Sequence, residues 1–319
     1  MNASASRLPH YPVAFFTMVM GLSGFAIAWS KAEAILGLGW GLHRGLAAVA
    51  ALCFTVHITL YGAKLFKHCS AVMGEWKHPI QRNFFPAISI SLLLLSVIAL
   101  NVNESLASGL WVLGAALHLM FTLLVVNAWI HHPPYEIAHI NPAWFIPAVG
   151  NVIVPIAGVP LGQIELSWFF FSIGMLFWVI LLTIVFYRVM FHAPLPAKLL
   201  PTLFILIAPP AVGFIAYSTL IGGLDAFARV LYFIGLFLTL LMLLELPRFV
   251  KLPFALSWWA YSFPLAAISI ASQGMFVATG ESVYRGIGVA LLILLTAVVV
   301  VLAIGTFRAA RAGRICRPD

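Results

Sequence analysis

Long apolar runs separated by short polar breaks dominate this chain. A helix needs about 20 apolar residues to cross the hydrocarbon of a bilayer. On that criterion the runs near 12–29, 43–66, 84–100, 106–130, 143–160, 166–190, 199–220, 225–246, 255–278 and 283–307 each predict a transmembrane helix. The breaks alternate in kind. Segments 67–83 and 131–142 are long and polar, whereas 101–105, 161–165 and 221–224 are very short. Short connections make antiparallel neighbours, so the expected fold is an all-α polytopic membrane protein of ten helices arranged as five helical hairpins, with residues 1–319 forming a single transmembrane domain.

Proline divides the runs into two sets. The odd-numbered runs carry Pro12, Pro86, Pro147, Pro155, Pro209, Pro210 and Pro264, and the even-numbered runs carry none. Pro86, Pro147, Pro209 and Pro264 recur at intervals of about 60 residues, the length of one hairpin with its connections. Proline removes a backbone donor and kinks a helix. At membrane depth such backbone is tolerated only inside protein or along a water-filled cavity. The odd helices are therefore expected to form an inner, kinked ring around a central passage, and the even helices to face lipid.

Composition agrees with lipid as the solvent. The chain is 63% hydrophobic and 8% charged, with a mean hydropathy of +1.07, whereas a soluble domain carries about 25% charged residues. The net charge of +8 does not indicate nucleic acid, because the basic residues collect at the ends of apolar runs. With both termini on one side, that side holds Arg7, Lys64, Lys67, Lys77, Arg82, Arg188, Lys198, Arg248, Lys251, Arg308, Arg311, Arg314 and Arg317. The other side holds Lys31, Arg44, Arg229 and Arg285. The positive-inside rule then predicts cytoplasmic termini.

Little enzyme chemistry is encoded. There is no Gly-rich phosphate loop, no Asp-x-x-x-Asp pair and no His-Glu-x-x-His. Cys53, Cys69 and Cys316 lack metal-site or disulfide spacing, so no metal or cofactor is expected. His43 and His57 on the second run, with His118 and His132 on or after the fourth, have a spacing that would suit haem ligation between two helices. Only His57 and His118 share a depth at about 1.5 Å per residue, and hydrogen bonding inside the bundle is the favoured role for both. No Lys, Arg, Asp or Glu falls inside an odd run. That disfavours a proton-coupled carrier built on a membrane carboxylate and leaves weak anion binding by hydroxyls, amides and helix ends. Ser89, Asn151, Ser262 and Ser269 are the expected pore-lining groups.

Three motifs resemble one family. Glu75-Trp76-Lys77-His78-Pro79-Ile80-Gln81-Arg82-Asn83-Phe84-Phe85-Pro86, Trp144-Phe145-Ile146-Pro147 with Gly150-Asn151, and Trp258-Trp259-Ala260-Tyr261-Ser262-Phe263-Pro264 resemble the tellurite-resistance/C4-dicarboxylate transporter family. That family includes TehA-like bacterial proteins and plant guard-cell slow anion channels. The resemblance implies five hairpins around a pore, a homotrimer with one pore per subunit, a bacterial inner-membrane location, and Phe263 as a phenylalanine that plugs the pore. By analogy with Phe263-Pro264, Phe85 beside Pro86 is expected to approach the pore as well. The expected function is a channel for small anions such as halide or nitrate. The alternatives are a secondary exporter of C4-dicarboxylate, sulfite or tellurite-related oxyanions, and a haem-binding redox protein.

Overall fold

A computed structural model describes residues 7–131 and 135–316; His132 and Arg317 lie outside them. Among the described residues every regular element is helical. Among these described residues, nine helices are long and apolar enough to cross a membrane. The tenth apolar segment, Pro142–Gly158, is shorter and broken, so the expected ten spans become nine long helices and this interrupted one.

The α-helical elements are α1 (Phe16–Leu36), α2 (Leu42–Lys67), α3 (Cys69–Lys77), α4 (Pro86–Ala99), α5 (Glu104–His131), α6 (Phe145–Val149), α7 (Val154–Gly158), α8 (Ile164–Phe191), α9 (Ala208–Ile221), α10 (Ala226–Leu244), α11 (Leu246–Phe249), α12 (Ser262–Thr279) and α13 (Ser282–Arg311). Consecutive long elements pair as hairpins: α1 with α2, α4 with α5, α6 and α7 with α8, α9 with α10, and α12 with α13. A second set of contacts runs α1 to α4, α4 to α7, α7 to α9, α9 to α12, and α12 back to α1. These close a ring.

Burial separates the two sets. In the windows that include α1, α4, α9 and α12, 67%, 78%, 61% and 67% of residues are buried, against 11% to 39% for α2, α5, α8, α10 and α13. The outer helices still show Leu52, Leu123, Leu176, Phe237 and Ile293 at their surfaces, a coat suited to lipid rather than water.

The prolines act differently from mid-helix kinks. Each inner segment opens with a 3₁₀ stretch, namely Val13–Phe15, Gln81–Phe84, Pro142–Trp144, Gly150–Ile153, Leu200–Ile207 or Leu256–Tyr261, and then becomes α-helical. Pro86, Pro147, Pro155, Pro209, Pro210 and Pro264 all fall within the first three positions of an α-helical stretch. The N–H groups there have no intrahelical acceptor, so a residue without one costs nothing. The expected kink points are thus junctions between two helix types.

Three basic residues counted for topology are taken up by the fold. Lys64 pairs with Glu75 at 2.9 Å and donates to the Tyr11 carbonyl. Arg82 donates to the Trp76 carbonyl and the Tyr135 hydroxyl, and Arg188 to the carbonyls of Ile137 and Ala193. All three are buried.

Candidate functional site

Two cavities lie inside the ring. The larger holds about 260 Å³ and is lined early in each inner segment, by Pro12, Thr17, Phe84, Phe145, Thr202 and Phe263 among others. The smaller, about 30 Å³, is lined by later residues of the same segments, including Gly24, Ile27, Leu94, Ile156, Ile215 and Ile270. No described lining residue of either cavity comes from α2, α5, α8, α10 or α13. Because early residues share one cavity and later ones the other, the inner segments run parallel.

Ile153, Val212 and Phe263 line both cavities. They form the neck between them, with Phe263 the bulkiest. Its position follows from its neighbours: it sits in the first turn of α12 after the Leu256–Tyr261 3₁₀ stretch, directly before Pro264. On the neighbouring α1, a Cβ on Gly24 would lie 3.3 Å from the Phe263 Cδ2 and 3.0 Å from the Ala266 Cβ. The absence of a side chain at residue 24 gives the phenyl ring its place.

The other sequence-based assignments are redistributed. Phe85 faces away from the cavities and packs in an aromatic cluster with Tyr61, Trp76 and Phe121, at centroid distances of 6.1, 5.0 and 6.3 Å. Its neighbour Phe84 lines the larger cavity instead. Ser89, Asn151, Ser262 and Ser269 are fully buried and line neither cavity. The Ser89 hydroxyl donates to the Pro86 carbonyl at 2.8 Å and meets His118 Nδ1 at 2.9 Å. Asn151 donates to Thr122 Oγ1 at 3.0 Å and the Ala148 carbonyl at 2.7 Å. Ser262 donates to the Trp259 carbonyl at 2.7 Å, and Ser269 to the Gly288 carbonyl at 3.0 Å. In a low-dielectric interior these hydroxyls and amides satisfy backbone carbonyls or tie helices together.

The polar groups that do line the larger cavity are Thr17, Thr202 and Ser257, within an otherwise apolar wall. No Lys, Arg, His, Asp or Glu is among the described lining residues of either cavity. Fixed polarity comes from the backbone. Parallel inner helices begin at the larger cavity, and helix N-termini carry partial positive charge. Ile153 and Val212 were not distinguishable in sequence, being ordinary members of apolar runs.

The two central histidines do not share a site. His57 meets the Tyr11 hydroxyl and, at 3.4 Å, the Cys53 thiol, among Phe15 and Phe16. His118 lies against Gly150, where a Cβ would come within 2.6 Å of its Cε1. Glycine at 150 lets the broken fifth segment approach α5 this closely.

Comparison with known proteins places this geometry in context. The family model described as voltage-dependent anion channel matches residues 10–307. The chain is 30% identical over 272 residues to the S-type anion channel SLAH2 of Arabidopsis thaliana, covering 83% of this chain and 52% of that protein. It is 29% identical over 272 residues to the S-type anion channel SLAH3 of the same plant, covering 83% and 43%. It therefore spans about half the length of these two relatives. Against the tellurite resistance protein TehA homolog of Haemophilus influenzae it is 27% identical over 295 residues, covering 89% of each.

Proposed function

From the premise that this chain belongs to the voltage-dependent anion channel family, we propose that it is a channel for small anions such as halide or nitrate, with Phe263 as the gate of an axial pore. One observation carries this reading: two cavities on the axis of a ring of parallel helices meet at a neck of Phe263, Ile153 and Val212.

The physical steps are few. An anion enters the larger cavity at the end where the inner helices begin, and their partial positive charges lower the cost of leaving bulk water. Without a lining Lys or Arg it is held weakly, which suits rapid exit. The phenyl ring of Phe263 closes the neck, and its rotation would join the cavities. The absence of a lining carboxylate favours passive flow over proton coupling. The Lys and Arg bias supports a cytoplasmic side for the larger cavity and both termini. By family resemblance the protein works as a homotrimer in a bacterial inner membrane.

Purified protein in planar bilayers under a KCl gradient tests this function. Channel activity predicts a reversal potential near that of chloride, unchanged by an imposed pH gradient. Reversal near the potassium potential would reject an anion passage. Saturable flux driven uphill by the pH gradient would instead establish a coupled exporter of oxyanions or dicarboxylates.

A further inference from the structure

A third cavity lies off the axis. It holds about 390 Å³ and is bounded by α10, α11, α13 and the start of α12. Its walls include Leu246 and Val250 near α11 and Leu294, Val298 and Val301 on α13, while Phe204, Tyr261 and Leu265 form its floor. Leu246, Val250 and Val301 are exposed, so the groove opens on the lipid-facing surface. Every lining residue is apolar apart from the Tyr261 hydroxyl and the Trp258 indole N–H.

One end of the groove is basic. Lys251 follows the lining residue Val250, and Phe254, three residues further on, packs its ring on Gly305 of α13, where a Cβ would lie 2.5 Å from Cε2. This contact brings the 250–254 segment across α13 one turn before Arg308. Residues 294, 301 and 308 are spaced seven apart, so Arg308 lies on the helix face that presents Leu294 and Val301 to the groove. Arg248 lies there too, paired with Glu245, the acidic residue of this end. Lys251 and Arg308 are exposed. The chemistry is an apolar slot the size of an acyl chain ending in positive charge at an interface, which complements an anionic phospholipid.

We propose that this groove is a binding site for an anionic phospholipid, with an acyl chain against Val298, Val301 and Tyr261 and the headgroup on Lys251 and Arg308. Tyr261 and Leu265 flank Phe263 in sequence, so the bound chain lies behind the segment that carries the neck phenylalanine. The site does not depend on which ion passes along the axis.

Native mass spectrometry of detergent-purified protein titrated with palmitoyl-oleoyl phosphatidylglycerol or phosphatidylcholine tests the proposal. The wild type is expected to retain phosphatidylglycerol about tenfold better. Lys251→Gln with Arg308→Gln should remove that preference while leaving the phosphatidylcholine level unchanged. Ala297→Phe, which fills the groove, should reduce retention of both lipids. Ile293→Phe, on the exposed surface outside the groove, should change neither, and monodisperse elution of each variant checks folding. Equal retention of the two lipids by the wild type, or a preference that survives both groove variants, would overturn the site. So would a groove variant that dissociates an oligomer with lipid retention intact, since the groove would then be a contact between copies.

Discussion

At the residue scale, the proposed gate consists of Phe263 and the space that Gly24 leaves for its ring. As the proposed gate, Phe263 is singled out in the sequence only by its Trp-Trp-Ala-Tyr-Ser-Phe-Pro context, because the chain has 25 phenylalanines and most simply pack. Phe84 and Phe85 show the limit of that reading. Adjacent residues on a helical turn point about 100° or more apart, and a motif does not say which one faces the axis. The serines and Asn151 misled for a related reason: a hydroxyl in an apolar helix has its nearest acceptor in the preceding turn, and Ser89 and Ser262 take it. Gly24→Leu introduced beside Phe263→Ala should refill the neck. Bilayer conductance of the double variant is expected to fall back toward the wild-type level, whereas additive or unchanged current would place residue 24 away from the passage. In an otherwise wild-type chain the same substitution overpacks the neck at a cost of about 1–3 kcal/mol, visible as a lower midpoint in thermal unfolding.

At the element scale, hydropathy and proline placement located the hairpins and the inner ring. They did not reveal that each inner element starts as a 3₁₀ helix, because the prolines that suggest kinks are equally at home in a first helical turn. Nor did they show how the N-terminal segment is fastened. Glu75, on α3, accepts from the Val13 N–H at 3.1 Å and the Tyr61 hydroxyl at 2.7 Å, and pairs with the buried Lys64. This clasp holds the Pro12 edge of the larger cavity against α2. Lys64→Met leaves the largely buried Glu75 carboxylate without its counter-charge, a loss of about 3 kcal/mol, whereas Lys67→Met on the exposed side should stay within about 0.5 kcal/mol. Thermal unfolding of the two variants separates these outcomes. At the start of α10, the Ala228 N–H and then the Tyr217 hydroxyl, both donating to Asp225, hold its carboxyl below the usual range. A depressed folded pKa contributes stability above the unfolded carboxylate pKa that is lost as pH falls through the folded value. The stability gap between wild type and Asp225→Ala should therefore narrow on acidification, as read from melting curves in a pH series.

At the scale of the whole molecule, the ring, its parallel inner segments and its two-part axial cavity form one arrangement. The division into inner and outer helices was readable because lipid and protein interior demand different sequences: outer helices tolerate exposed Leu, Phe and Val, and only enclosed ones tolerate repeated proline. The lateral groove was not readable, since it arises where a 3₁₀ start, a short helix and two outer helices meet. Phe263 is proposed to close an otherwise continuous anion path. Current through wild type and Phe263→Ala, recorded in planar bilayers under the same chloride gradient, tests it most directly. Removing a steric barrier of only ~1.4 kcal/mol raises a rate about tenfold, so Phe263→Ala should carry at least about that much more current and still reverse near the chloride potential. A Phe263→Ala current equal to that of the wild type, or one that reverses near the potassium potential, would contradict it.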